Sequence, residues 1–360
     1  MQRRAQLLEP ASLREAMREH AQALYGMYAR KNEGSPVSSN GDFMRANAIG
    51  IGEGGVRAIN HMLALGIDGV NCITVHTDKQ SVRHSNAARK LTLADDSNVL
   101  RKPGQHASSR IAKANIDCTS SALDRTDMVF IIPDLRDATA VGIASVIARR
   151  AQERSRITLG VAMQPFSFED KQCRRTARAN EEAFALCVDS LIVIPGTLVT
   201  KRRKAQDDSD AFHGKAYEFC RVAVQGLYDG IGKGEYHDIA NPDPIQQIWQ
   251  DYRGLLGAKT TLLEVGAASG RRRAVMAVLK AFNSPFLENT WKNLRELQKV
   301  LISITARAGS RLSRRDVCEA VEEVKDYFHS YASTVLSVST EDSLDEELRI
   351  AVFAENFTGQ

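Results

Sequence analysis

Four glycines and one acid carry the first chemical signal in this chain of 360 residues. Gly50, Gly52 and Gly55 fit G-x-G-x-x-G within AIGIGEGGVRAINHM, residues 48–62, with Gly54 between them. Asp78 closes the next apolar run, CITVHTD. A short apolar strand running into a glycine turn that opens a helix turns backbone N–H groups and a helix N-terminus toward one point. Such an arrangement binds phosphate, and glycine serves it because no Cβ blocks close approach. An acid after the second strand stands where a ribose hydroxyl would be held. These residues read as the start of a nucleotide-binding α/β domain. A dinucleotide oxidoreductase would also need an acid or base near the nicotinamide, and none is evident. The eight histidines are scattered, and a lone one such as His213 reads as structural.

The elements that position the glycine turn follow from periodicity. Apolar runs at 46–51, 70–76, 128–132, 157–162 and 190–194 read as buried strands, with helices near 53–66, 107–124, 138–153 and 169–187. Alternating β and α implies a doubly wound parallel sheet. Long helices are expected at about 211–231 and 245–257. From 259 the texture changes to the strand-like runs TTLLEVGA, KVLISITA, STVLSVST and LRIAVFAE, with helices near 270–282 and 313–329, a smaller α+β domain of mixed sheet. Ahead of all this, Leu13, Met17, Leu24 and Met27 recur at helical spacing, and NEGSPVSSNGD reads as a linker. The expected division is therefore an N-terminal helix and linker at 1–41, a Rossmann-like domain at 42–210, a connecting helix at 211–231, a loop and helix at 232–258, and the α+β domain at 259–360.

Composition excludes several classes. The chain is 43% hydrophobic and 26% charged, as in an ordinary protein with a sizeable core. No apolar run reaches the roughly 18–20 residues that span a bilayer. The N-terminus lacks the apolar core of a signal peptide. A net charge of +4 does not imply nucleic acid, and the basic run Lys201–Lys204 is followed at once by Asp207, Asp208 and Asp210. Six scattered cysteines without a C-x-x-C pair point to buried free thiols in a reducing cytoplasm, and no metal site is expected.

From about residue 45 onward the order of motifs resembles FtsZ, the bacterial relative of tubulin. The glycine turn and its helix resemble the family's first phosphate loop. His76-Thr77-Asp78-Lys79-Gln80 resembles N-T-D-x-Q, Gln164-Pro165-Phe166-Ser167-Phe168-Glu169 resembles K-P-F-x-F-E, and Asp189-Ser190-Leu191-Ile192-Val193-Ile194-Pro195 resembles D-x-L-I-x-I-P. Asp210-Ala211-Phe212 and Val224-Gln225-Gly226 stand at the ends of the central helix, and Ser284–Glu288 and Asp345–Arg349 match in the second domain. The resemblance implies GTP or GDP as ligand and head-to-tail filaments as the assembly. It assigns the ligand to Gly50, Gly52, Gly54, Gly55, Arg57, Asp78, Thr139, Gly142, Glu169, Phe212 and the position of Tyr217. It also implies water-polarising acids on a loop of the form N-x-D-x-x-D, presented to the next subunit.

The departures fall where the ligand would lie. The family's glycine-rich signature loop corresponds here to Asp134-Leu135-Arg136-Asp137-Ala138-Thr139-Ala140-Val141-Gly142, in which only Thr139 and Gly142 remain. Side chains there restrict backbone approach. Asp134, Asp137 and Glu53 put negative charge against a triphosphate, and like charges about 4 Å apart repel by roughly 1 kcal/mol even in water. Arg57 and Arg136 are the cations available to compensate. Cys173 stands where an arginine is expected, Gly196 replaces an asparagine, and the purine-reading asparagine aligns with Tyr217, so guanine specificity is expected to weaken. In the presented loop, Asn241 and Asp243 remain and Gln246 replaces the second acid. A glutamine can orient water but takes no proton, and Asn241 and Asp243 read equally as caps of the helix that follows.

The sequence thus leads to an FtsZ-like cytoskeletal protein that self-assembles or co-assembles with an authentic FtsZ. GTP binding and hydrolysis are expected to be weakened or lost. One alternative is an active GTPase with rewired phosphate loops; another is a scaffold or regulator that never polymerises. The chain stops at Gln360, so the family's tail that reaches a membrane adaptor is expected to be missing, and neither nucleic acid nor direct membrane contact is expected.

Overall fold

The computed structural model describes residues 44–93, 120–154, 156–166, 168–194, 196, 209–232, 236–238, 260–283, 299–307, 309–310, 312–328, 333–342, 344 and 346–356. The expected N-terminal helix, the loop carrying Asn241, Asp243 and Gln246, and the helix at 245–257 lie outside these residues.

Short runs of Ile, Val and Ala become strands because both of their faces are covered. In β1 (Ala46–Ile51) all six residues are buried, as are all six in β4 (Met128–Pro133). Between and after them come α1 (Gly52–Leu65), β2 (Val70–His76), the short α2 (Lys79–Arg83) and β3 (Arg89–Thr92). The order continues with α3 (Ala138–Glu153), β5 (Ile157–Met163), α4 (Lys171–Ala185), β6 (Ser190–Ile194) and the central α5 (Ser209–Leu227). β1 pairs in parallel with β2 and β4, and β4 with β5, β5 with β6. Alternate residues then face opposite layers. Ala46, Ala48, Phe130 and Ile132 pack with Ile59 and Met62 of α1 and with Tyr217, Cys220 and Leu227 of α5. Ile49, Ile51, Val129 and Ile131 pack with Ile143, Ala144 and Ile147 of α3 and with Phe184 of α4. This is the doubly wound sheet the sequence called for, with helices on both faces.

The second strand set joins it. β7 (Tyr236–Asp238), β8 (Thr260–Ala268), β9 (Lys299–Arg307), β10 (Ser333–Glu341) and β11 (Leu348–Asn356) include both parallel and antiparallel pairs, with α6 (Arg273–Phe282) and α7 (Arg314–Lys325) packed on them. The mixed sheet expected in the second part of the chain continues the first one. β6 pairs with β8 through Leu191–Thr260 and Ile192–Thr261, so among the described residues eleven strands run in the single order β3-β2-β1-β4-β5-β6-β8-β11-β9-β10-β7.

The central helix ends sooner than its pattern suggests. Regular α-helix stops at Leu227, and Tyr228–Gly232 continues as a π turn. α5 is tied to the second strand set by charge. Arg221, 2% exposed, binds Glu218 on its own helix at 2.9 Å and Glu341 at the end of β10 at 2.7 Å. Arg349 of β11 also pairs with Glu341. Glu341 is thus shared between two buried arginines, and losing one of them would leave it paired with the other.

Candidate functional site

The glycine turn forms because backbone passes backbone with no room for a side chain. A Cβ on Gly50 would lie 2.3 Å from the Gly55 carbonyl oxygen, and one on Gly55 would lie 2.4 Å from that of Ile132. Gly52 has φ +74°, a conformation that side chains disfavour. The turn delivers α1 with a bare N-terminus, since its N-cap residue Ile51 offers no side-chain hydrogen bond. Such an end has unsatisfied N–H groups and a positive dipole, and it takes an anion.

The anion present is the protein's own. Asp134, immediately after β4 and 8% exposed, turns its carboxylate toward the Gly54 backbone. Its Oδ2 lies 2.6 Å from where a Gly54 Cβ would stand, so glycine alone permits this seat. Arg136 holds the same carboxylate in a fork, Nε to Oδ1 at 2.9 Å and Nη2 to Oδ2 at 2.9 Å, and its backbone N–H donates to Oδ1 at 3.0 Å. Burial alone would raise the Asp134 pKa. The Arg136 hydrogen bonds and charge, with the Gly54 N–H, more than offset this and hold the carboxyl below the ordinary aspartate range. The same pairing pushes the Arg136 guanidinium pKa up. From behind, Asn180 of α4 donates to the Leu135 carbonyl at 2.8 Å and fixes the loop.

The second helix facing the site is closed the same way. Asp137 is the N-cap of α3 and accepts from the Thr139 N–H at 2.7 Å, while Gly142 is buried in the helix. Thr139 therefore takes part in a cap. Arg57 pairs with Glu53 one turn earlier on α1, at 2.9 Å. Burial would raise the Glu53 pKa, but the hydrogen bond and charge of Arg57, with Ser81 and His76 nearby, lower it overall. Of the two cations named as compensation for phosphate charge, each is thus engaged by a carboxylate.

The remaining sequence-named residues are distributed around this centre. Asp78 caps α2, its Oδ2 accepting from the Ser81 N–H at 2.8 Å and from the Ser81 hydroxyl at 3.0 Å; the backbone hydrogen bond from Ser81 leads the lowering of its pKa. Glu169 accepts from the Phe166 N–H at 3.1 Å and from the Cys173 thiol at 3.2 Å, and lies 3.6 Å from Arg136. That thiol stands where the family's arginine was expected, with its pKa raised by burial and by Glu169 to about 11. A Cβ on Gly196 would meet the Pro165 carbonyl at 2.0 Å, so this backbone has no place for the family's asparagine. Phe212 falls at the start of α5, where side chains lie outside the described residues.

Tyr217 lies in an aromatic cluster that sequence reasoning did not assemble. His61 and His213 have ring centroids 5.9 and 6.1 Å from it, His213 meets Phe166 edge-on at 4.9 Å, and Phe166 stacks on the exposed Phe168 at 5.2 Å. The signal available was His213 and Tyr217, four apart on one helix, but it named no partners across the sheet. Burial pushes the Tyr217 phenol up to about 12, with Arg57, Arg136 and Asp134 all in electrostatic reach. Its hydroxyl is buried and has no hydrogen-bond partner among the described residues. Beyond α1 a cleft of about 380 Å³ is lined by Glu53, Arg57, Asn60, Asp78, Ser81 and His84 among others. It borders the glycine turn but does not enter the Asp134–Arg136 pair.

Known proteins carry the same architecture. Residues 45–198 match the family model described as Tubulin/FtsZ family, GTPase domain, and residues 260–358 match FtsZ family, C-terminal domain. Among solved structures, an empty FtsZ dimer from M. jannaschii superposes with TM-score 0.73 at 21% identity over 92% of each chain. CetZ from Methanosaeta thermophila strain DSM 6194 gives TM-score 0.62 at 13% identity, covering 88% of this chain and 87% of its own. CetZ2 from Haloferax volcanii, a GTPγS-bound protofilament, gives 0.62 at 15% identity, covering 87% and 93%. The chain belongs to the FtsZ/tubulin superfamily of cytoskeletal proteins.

Proposed function

We propose that this protein builds or modulates FtsZ-type filaments with a nucleotide site closed by its own acids, so that GTP binding and hydrolysis are weakened or lost. The observation that carries this reading is the Asp134 carboxylate packed against Gly54 of the glycine turn and held there by the fork of Arg136. A triphosphate would have to displace that carboxylate. It would also meet Glu53 and Asp137, while Arg57 and Arg136 already serve acids. That arrangement weighs against the rewired active GTPase.

Self-association is supported by relatives whose structures are a dimer and a protofilament. The partner is a second copy or an authentic FtsZ, with residues 42–210 as the nucleotide-type domain, 211–231 as the connecting helix and 259–360 as the C-terminal domain. Asn241, Asp243 and Gln246 would face the neighbour's site, where Gln246 positions water without accepting its proton. Free thiols, three of them buried, support a reducing cytoplasm.

Sedimentation and electron microscopy with and without GTP, run beside a phosphate-release assay, test this. Filaments indifferent to GTP and no turnover are expected. Turnover that scales with polymer and is lost in Asp243→Ala would overturn the reading in favour of an active GTPase, and a strict monomer would favour a scaffold.

A further inference from the structure

Two helices carry opposite charges on their outer faces. α4 buries Ala177, Asn180 and Phe184 and turns Lys171, Arg174, Arg175 and Arg178 the other way, at the i, i+3, i+4, i+7 spacing of one face. α7 buries Val317, Ala320, Val321 and Val324, and its opposite face carries Glu319, Glu322 and Glu323 with Asp326 at the C-cap, at the same spacing. Like charges so spaced repel along a helix. Both stripes also run against the helix dipole, with cations in the first half of α4 and carboxylates in the second half of α7. Each stripe therefore costs its own helix stability, and opposite charge from outside would offset that cost. Each also ends on one reversal: Glu182 pairs with Arg178 on α4, and Arg315 with Glu319 on α7.

We propose that α4 of one copy of this chain docks antiparallel on α7 of a second copy. Laid in opposite directions, the helices match charge for charge. Lys171 meets Asp326, Arg174 and Arg175 meet Glu322 and Glu323, Arg178 meets Glu319, and Glu182 meets Arg315. The intervals are three, one, three and four residues on both helices, so the reversals match along with the stripes. A polyanion would suit the four cations but not Glu182, and this favours a second copy. Lys171, Arg175, Glu322 and Asp326 are all exposed in the single chain, so a second copy can reach them. The inference rests on the proposed self-association and names a surface for it. Because the two surfaces differ, the contact is heterologous; it propagates along a row of copies or closes when two copies exchange both pairs. Exposed ion pairs are individually weak, so the contact depends on the whole stripe acting together and is sensitive to salt.

The test is sedimentation velocity of the full chain over a concentration series at about 0.1 M and about 1 M salt, between which the screening length falls from about 10 Å to about 3 Å. One variant combines Lys171→Glu with Arg175→Glu, and the other combines Glu322→Lys with Asp326→Lys, all at exposed positions. Circular dichroism checks the fold of each. Wild type is expected to assemble at low salt, and each variant should need a roughly tenfold higher concentration to do so, because attraction becomes like-charge repulsion. High salt should narrow that difference. An equimolar mixture of the two variants should return to within roughly threefold of wild type, since the reversed α4 of one now matches the reversed α7 of the other. A variant that had merely lost its fold would not be rescued by mixing. Variants that assemble as wild type does, or a mixture that recovers nothing, would overturn the inference and leave self-association by another surface standing. Wild type that stays a monomer at both salt concentrations would instead contradict the proposed self-association, and this contact with it.

Discussion

Two helices in this protein begin on an aspartate forked by an arginine. At α7, Asp316 lies in the helix's own first turn. It accepts from the Ser313 N–H at 2.8 Å and the Ser313 hydroxyl at 2.7 Å, while the Ser313 hydroxyl accepts the Asp316 N–H at 3.2 Å. Arg273 of α6 completes the fork at 2.9 and 3.3 Å. At α1 the local N-cap is Ile51, whose side chain caps nothing, and the acid arrives from just after β4 with Arg136 beside it. The groups are the same and their origin differs. A local acid is a capping box that any helix can carry. A distant acid seated on a glycine turn fills a place that the backbone shaped for an anion.

That comparison can be broken at either helix. The largest effect is expected at α7. Asp316→Ala removes the capping box and takes the forked acid from the buried Arg273, which keeps Glu347 and the Ser310 hydroxyl; it should cost about 3 kcal/mol in urea unfolding and give no gain in phosphate binding. A gain there would erase the distinction between the two helices. Asp134→Asn should cost less, about 1–2 kcal/mol by the same measurement, because the amide oxygen can still accept from the Arg136 backbone N–H and guanidinium.

Acid pH offers a smaller, graded version. Both aspartates have folded pKa values held below their unfolded ones, so each contributes stability that is complete above the ordinary aspartate pKa of about 3.9 and lost as pH falls through the folded value. Unfolding free energy should therefore decline between about pH 5 and pH 2, with a shallower decline in Asp134→Asn. An unchanged slope would mean that Asp134 gains nothing from its seat. The smallest effect is expected from Tyr217→Phe, within about 1 kcal/mol of wild type and stabilising in sign, since it removes a buried hydroxyl without a partner among the described residues. A clear loss of stability would reveal a partner for that hydroxyl.

How much of this was legible in the sequence depended on range. Periodicity located β1, β2, β4, β5 and β6 because both of their faces are buried, and apolar runs mark such strands directly. The edge strand β3, RKLT, carried too little apolar signal to be read. The join of β6 to β8 rests on two residue pairs between segments far apart in the chain, which no local pattern encodes. At the site, the glycines were legible and so was the excess of acid. What local reading gave as repulsion against a phosphate is, in space, a carboxylate bonded to Arg136 and packed against Gly54. Arg136, read as available to a ligand, serves the acid two residues before it. Asp78 and Asp137 had a nearer reading as caps, since each immediately precedes a helix. The aromatic cluster reaches across the fold, His61 of α1 to Tyr217 and Phe166 of the loop after β5 to His213, beyond any helical spacing.

The most direct measurement is the nucleotide content of the purified wild-type protein, released by denaturation and resolved by ion-exchange chromatography. With Asp134 seated at the α1 N-terminus and Arg136 holding it there, no stoichiometric guanine nucleotide should be recovered. One GDP or GTP per chain would contradict this, because the phosphates would then occupy the place given to the carboxylate.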